Sequence, residues 1–321
     1  MTGKAAVLQA PGKFCIEERQ IDIHTDEVLV QVACCGLCNW EKGFYTGVLS
    51  GAPCTLGHEW SGVVREVGSD VSTLKAGDRV TVFPDKLQGF AEYAAIKASY
   101  CFKISDDVDL YEAFAEPLKC IITVLRSAAP EVGDYGVVVG CGPMGLWCVQ
   151  ALAGHMLAGL IAIDVDDAKL EVAKSYGAAY VINSKKEDAK KRIAEITGGH
   201  MADFVIEGTG LPQLVASSTG LLRVRRGRLV LMSYYEETVD GFDFRTMADL
   251  GAIITNPQPA YSEDGLEDTR RAVELINNKT FCQKDIITHR FSLDDIQEAF
   301  EALVNKPKGY IKGIVVCNEN M

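Results

Sequence analysis

Three short segments of the 321-residue chain carry side chains able to bind a metal: Cys38 in "GLCNW", His58 and Glu59 in "LGHEW", and Glu116 in "FAEPL". A catalytic zinc takes about three ligands of these types and keeps one position for water or substrate. On residue type alone Cys38 and His58 are suitable ligands, and Glu59 or Glu116 could supply an oxygen. Each also has an ordinary reading. His58 could be a satisfied core or turn histidine, Cys38 a buried thiol, and Glu116 a capping acid before Pro117 at the first turn of a helix. Cys35 to Cys38 spells CxxC, but a redox pair wants a βαβ setting that this stretch lacks. A four-cysteine zinc site would need a second pair, and Cys54 and Cys101 stand alone.

A second chemistry-bearing stretch is "VVVGCGPMG", where Gly140, Gly142 and Gly145, with Pro143 and Met144 between them, follow an apolar run and open a helical one. Glycines at this spacing allow a tight turn, close approach of backbone to a pyrophosphate, and close helix–strand packing. Asp164 ends the next apolar run, "LIAID", 19 residues beyond Gly145. An acid there accepts from the adenosine ribose hydroxyls and repels a 2′-phosphate, which favours NAD over NADP. The competing role for Asp164 is a helix N-cap, which Asp166 could fill equally well. Lys169 and the chain near it could still admit some NADP.

The elements that must position these residues change rhythm along the chain. Up to about residue 117 the pattern is short valine-rich runs cut by Gly, Pro and Asp, as in "EVLVQVAC" and "SGVVREVGSDV", which predicts a β-rich unit. From about residue 119, short continuous apolar runs ("YGVVVG", "LIAID", "AYVIN", "DFVIEG", "GRLVLMS") alternate with helical stretches such as "DDAKLEVAKSYG" and "KKEDAKKRIAEITGG". That alternation predicts a parallel, doubly wound α/β sheet. The tail carries an amphipathic helix in "LDDIQEAFEALVN" and a final strand in "KGIVVC".

Bulk properties exclude several classes. An apolar fraction of 48% with 24% charged residues is that of a soluble globular protein. The net charge of −12, with acids spread along the chain, argues against a nucleic-acid partner, since such binding needs clustered Lys and Arg. No run approaches the roughly 18 to 20 apolar residues of a membrane span, and the opening residues lack a signal-peptide core. The expected location is cytoplasmic. The eleven cysteines are too sparse for a disulfide scaffold, and most should be free and buried.

In order, "GHEWSGVVREVGSDVSTLKAGDRV", "GFAEYAAI", "EPLKC", "VVVGCGPMG" and the tail "ITHRFSLDDIQEAFEAL" resemble the zinc-dependent medium-chain alcohol and polyol dehydrogenases. The resemblance implies a GroES-like β-rich catalytic domain over 1–118, a Rossmann NAD-binding domain over 119–257, and a C-terminal return to the first domain over 258–321. By motif position Cys38 and His58 match zinc ligands. Glu116 matches a third ligand or a carboxylate holding the zinc-bound water, and Glu59 an acid that ligates in some members and stands behind the metal in others. The implied cofactors are one catalytic zinc and NAD, and a homodimer or homotetramer is usual.

Two departures set this chain apart from that pattern. No cysteine lies between Val80 and Tyr100, where many relatives carry a lobe for a structural zinc, so the likeness is to the sorbitol-dehydrogenase-like branch without it. Two places after Cys38, where the family has a Ser or Thr that passes the substrate proton outward, stands Trp40. An indole donates one hydrogen bond and accepts none, so it cannot relay a proton, and Glu41, Thr46, Tyr45 or water would have to take that role unless the loop is shifted. Lys119, just after "EPL", replaces a usually small residue. The activity implied is hydride transfer between NAD(H) and a secondary alcohol of a polyol, sugar alcohol or cyclitol. The alternatives are a threonine 3-dehydrogenase-like amino-alcohol enzyme and a non-catalytic nucleotide-binding relative.

Overall fold

A computed structural model describes residues 1–235, 238, 244–259, 262–319 and 321, and the chain divides into two compact units. One joins Met1–Lys119 to Asp264–Met321, and the other is Cys120–Glu263. Among the described residues no helix is long and apolar enough to cross a membrane.

The discontinuous unit is β-rich. The long strand Glu27–Gly36 is its axis: it pairs antiparallel with Trp60–Val67, with Tyr93–Lys97 and, from the far end of the sequence, with Lys312–Val316. Its pattern EVLVQVACCG is apolar almost throughout because both faces are covered, and only Gln31 is less than fully buried. The core around it includes Val30, Val32, Leu56, Trp60, Phe90, Ile96 and Phe300. Phe300 comes from the helix Ile296–Asn305, the amphipathic segment expected in the tail. A further helix, Gly265–Asn277, capped by Asp264, and the strand Ile287–Ser292 complete the tail and are not singled out by the sequence pattern.

The second unit holds a six-stranded sheet ordered Tyr180–Asn183, Gly159–Asp164, Tyr135–Val139, Phe204–Glu207, Arg228–Leu231, Ile253–Thr255, with every neighbouring pair parallel. Numbered along the sequence this is 3-2-1-4-5-6, the doubly wound order that binds a dinucleotide where the order reverses. The reversal falls between Tyr135–Val139 and Phe204–Glu207, the strands followed directly by Gly140 and Gly208.

Candidate functional site

Cys38 leaves the central strand and occupies the N-cap position of the helix Asn39–Thr46. His58 and Glu59 immediately precede the strand Trp60–Val67. Gly57 makes their position possible: its φ is +103°, and a Cβ there would lie 2.5 Å from the backbone nitrogen of Phe90. Strand, helix and turn thus bring ligand atoms of Cys38, His58 and Glu59 within 4.8 Å of one another. Glu116, the first residue of the helix Glu116–Ala128, places Oε2 3.8 Å from His58 Nε2. Neighbouring ligand atoms around a tetrahedral zinc lie roughly 3.4–3.8 Å apart. The donor set is therefore gathered close to the required spacing, and one thiol, one imidazole and carboxylate oxygen fit zinc in type.

The residues behind this set were not assigned that role by sequence. Glu41, fully buried on the helix that Cys38 caps, takes up His58 Nδ1 at 2.8 Å and accepts from the Gly57 amide at 2.6 Å through the same oxygen. That fixes the ring so that Nε2 faces the donor set, the usual office of a carboxylate behind a metal-binding histidine. Glu41 was weighed by sequence only as a proton-relay candidate, and its full burial against Nδ1 assigns it to positioning instead. Lys312, at the start of the last strand, is buried and bonds Glu59 Oε2 at 2.6 Å and the Leu37 carbonyl at 3.1 Å. Lys119 is largely covered, bonds Glu116 Oε1 at 2.8 Å, and lies 5.8 Å from the centre of the Phe83 ring, so it is not a surface helix lysine.

The electrostatics follow from crowding acids and cations in a dry place. Burial opposes protonation of His58, but Glu41 and Cys38 outweigh it and raise its pKa well above the ordinary value. Burial and then Glu59 push the Cys38 thiol up, with His58 pulling the other way. Glu116 is held below the usual carboxylate range: burial works against this, and Lys119 and then His58 overcome it. Burial lowers and Glu59, then Cys38, raise the Lys312 ammonium, with a net rise. A divalent cation among these anions favours the thiolate and neutral imidazole that ligation needs.

In the other unit the glycine turn is built as the spacing suggests. A Cβ on Gly145 would fall 1.9 Å from the carbonyl oxygen of Gly140, so the helix Pro143–Ala153 can pack this closely only with glycine there. A Cβ on Gly142, at the N-cap, would meet no atom within 4 Å; it would project into open space over the helix N-terminus, where a pyrophosphate is held. Pro143 takes the first helical turn, followed by Met144. Asp164 Oδ2 accepts from the Cys141 amide at 2.7 Å, and Oδ1 from Val165 at 2.7 Å and Asp166 at 3.0 Å. A carboxylate has about four acceptor sites, which leaves capacity for a ribose hydroxyl. Asp166, not Asp164, caps the next helix by accepting from Ala168 at 3.0 Å. Lys169 is half-buried in that helix's first turn.

Sequence reasoning gave no role to Glu207, at the carboxyl end of the neighbouring strand. It is fully buried and accepts from the Thr209 amide at 2.9 Å, the Thr209 hydroxyl and the Tyr235 hydroxyl. Thr209 in turn packs beneath Gly140, its Cγ2 lying 3.0 Å from where a Cβ would be. The only signal was an acid closing an apolar strand.

Two family descriptions match the chain: an alcohol dehydrogenase GroES-like domain over residues 24–106 and a zinc-binding dehydrogenase over residues 143–256. Between them they span more than half of it, and the chain belongs to the zinc-dependent medium-chain dehydrogenase family, whose cofactors are zinc and a nicotinamide dinucleotide. (R,R)-butanediol dehydrogenase of Bacillus subtilis is 29% identical to it, over 91% of this chain and 93% of that protein. Sorbitol dehydrogenase of the same organism is 27% identical over 98% and 97%. The crystal structure of 2R,3R-butanediol dehydrogenase from Bacillus subtilis superimposes with a TM-score of 0.86 at 26% identity, covering 98% of this chain and all of that one.

Proposed function

We propose that this protein is a zinc- and NAD-dependent dehydrogenase that interconverts a secondary alcohol and its ketone in a polyol, sugar alcohol or cyclitol. The observation that carries this is the convergence of Cys38, His58, Glu59 and Glu116 from three separate stretches of chain onto one place. Relatives named for butanediol and sorbitol support a substrate with more than one hydroxyl.

Cys38 and His58 hold the zinc. Glu59, grouped with Cys38 and His58, and Glu116, whose Oε2 lies 3.8 Å from His58 Nε2, both offer an oxygen as third ligand, and each is paired with a lysine, Lys312 and Lys119. When bound, zinc would supply a Lewis acid able to lower the pKa of a substrate hydroxyl, and NAD would supply the hydride acceptor. Glu41 orients His58, and Lys312 keeps Glu59 from adding a full uncompensated charge behind the metal. In the nucleotide unit, the open face of Gly142 admits the pyrophosphate and Asp164 takes the adenosine ribose.

The protein acts in the cytoplasm, a reading supported by eleven cysteines too sparse for a disulfide scaffold, and as a homodimer or homotetramer, a reading that rests on the family resemblance. Nucleic acid and membrane are not among its partners; the dispersed charge of −12 supports this. The test combines metal analysis with NADH formation over a polyol panel. Purified protein should carry about one zinc per chain, and Cys38→Ser should lose both zinc and turnover while still binding NAD. Zinc-free wild-type protein, or turnover preserved in Cys38→Ser, would refute the assignment.

A further inference from the structure

Trp40 sits beside the metal donors in an unusual way. It occupies the first turn of the helix Asn39–Thr46, two residues from Cys38, and its ring centre lies 5.6 Å from that of His58 and 5.2 Å from that of Phe44. Both neighbours stand nearly perpendicular to the indole, at 78° and 87°, so neither covers it by stacking. The residue is 47% exposed, whereas the chain's other tryptophans, Trp60 and Trp147, are 0% and 1% exposed. A side chain of this size normally stabilises a fold by burying 150 Å² or more. One that leaves nearly half its surface in water, pressed against the ring of a metal ligand, is placed for a ligand and not for the core.

We infer that Trp40 is the platform on which the substrate lies, and that the substrate is a cyclic polyhydroxy compound, a ring-form sugar or cyclitol, whose C–H face rests on the indole. This rests on the polyol dehydrogenase reading and narrows it. A ring directs its hydroxyls outward and keeps a contiguous C–H surface that matches a flat aromatic plane. An open-chain polyol distributes its hydroxyls to every side and must freeze several rotatable bonds to present any such surface, which costs conformational entropy. The same position cannot serve as the hydroxyl that would pass a proton outward, so Trp40 is a positioning and specificity residue, with its indole N–H free to donate to a substrate hydroxyl.

Trp40 is also its own probe, because it is the one tryptophan of the three that water reaches. With zinc-loaded protein and NAD, myo-inositol and glucose serve as cyclic substrates, and sorbitol and xylitol as open-chain ones. The wild type should favour the cyclic pair, and saturating cyclic substrate should shield its fluorescence from acrylamide. Trp40→Ala should lower kcat/KM for the cyclic pair by about tenfold, chiefly through KM, as loss of one aromatic contact does. It should leave the open-chain values and the zinc content near wild type, with Trp40→Phe intermediate. Equal losses on both classes would mean a structural role and overturn the inference, as would unchanged kinetics or a wild type that favours the open-chain pair; in each case the polyol reading survives. A wild type that oxidises none of the four overturns both.

Discussion

Among single residues, the carboxylate behind the metal site decides how well the site is built. Glu41 spends one oxygen on both His58 Nδ1 and the Gly57 amide, and so couples the orientation of the imidazole to the turn that delivers it. Removing the negative charge while keeping the shape isolates this role. Glu41→Gln should fold and retain NAD binding, yet bind zinc about 10–100-fold more weakly, the usual effect of disturbing a partner of a metal-binding histidine. Competition with a chromophoric chelator measures this directly, and wild-type affinity in the variant would show that Glu41 only fills space. Sequence could offer Cys38 and His58 as ligands because their types suffice to suggest it. It could not separate a relay role for Glu41 from a positioning one, because that depends on which ring nitrogen the helix turns it toward.

At the scale of elements, the glycine turn and the strand ends do different work, and the two can be told apart. Gly145 is required by packing, whereas Gly142 has open space beside it and is proposed to be kept free for the dinucleotide. Gly145→Ala puts a methyl 1.9 Å from a backbone oxygen, so it should destabilise the nucleotide unit by about 1–3 kcal/mol or more, which lowers Tm by roughly 2–4 °C per kcal/mol. Gly142 has φ −73° and ψ −176°, which any residue adopts, and open space beyond it. Gly142→Ala should therefore keep its Tm but bind NAD at least about tenfold more weakly, a loss near 1.4 kcal/mol. Thermal melts paired with NAD titrations check both, and a lowered Tm in Gly142→Ala would remove the distinction. Five of the six parallel strands were legible as apolar runs, because a strand buried on both faces leaves an uninterrupted signature in sequence. The sixth, Ile253–Thr255, has three residues and none fully buried, too short and too exposed to leave one. Glu207 was hidden for another reason: only the pairing of Glu207 with Val139 brings Thr209 beneath Gly140.

For the whole molecule, the β-rich unit is discontinuous, and the proposed metal site draws on both pieces. Glu59 and Lys312 are 253 residues apart in sequence, yet form a buried pair, and Lys312 opens the strand that closes onto Cys34, Cys35 and Gly36 beside Cys38. No local pattern announces such a contact: the residues of the tail read only as a helix and a strand, and its return to the first domain was implied by the family resemblance alone. Zinc that binds only the folded arrangement stabilises every segment supplying it. Zinc removal should therefore speed amide exchange in peptides around His58 and, in step, in the peptide spanning Lys312–Val316, while exchange across Tyr135–Val139 and Gly159–Asp164 stays unchanged. NAD should do the converse, protecting those two strands and the turn between Gly140 and Gly145. Hydrogen exchange read by mass spectrometry resolves these peptides separately. If the Lys312 peptide ignores zinc while the His58 peptide responds, Glu59 and Lys312 are a packing pair and the C-terminal return has no part in the metal site.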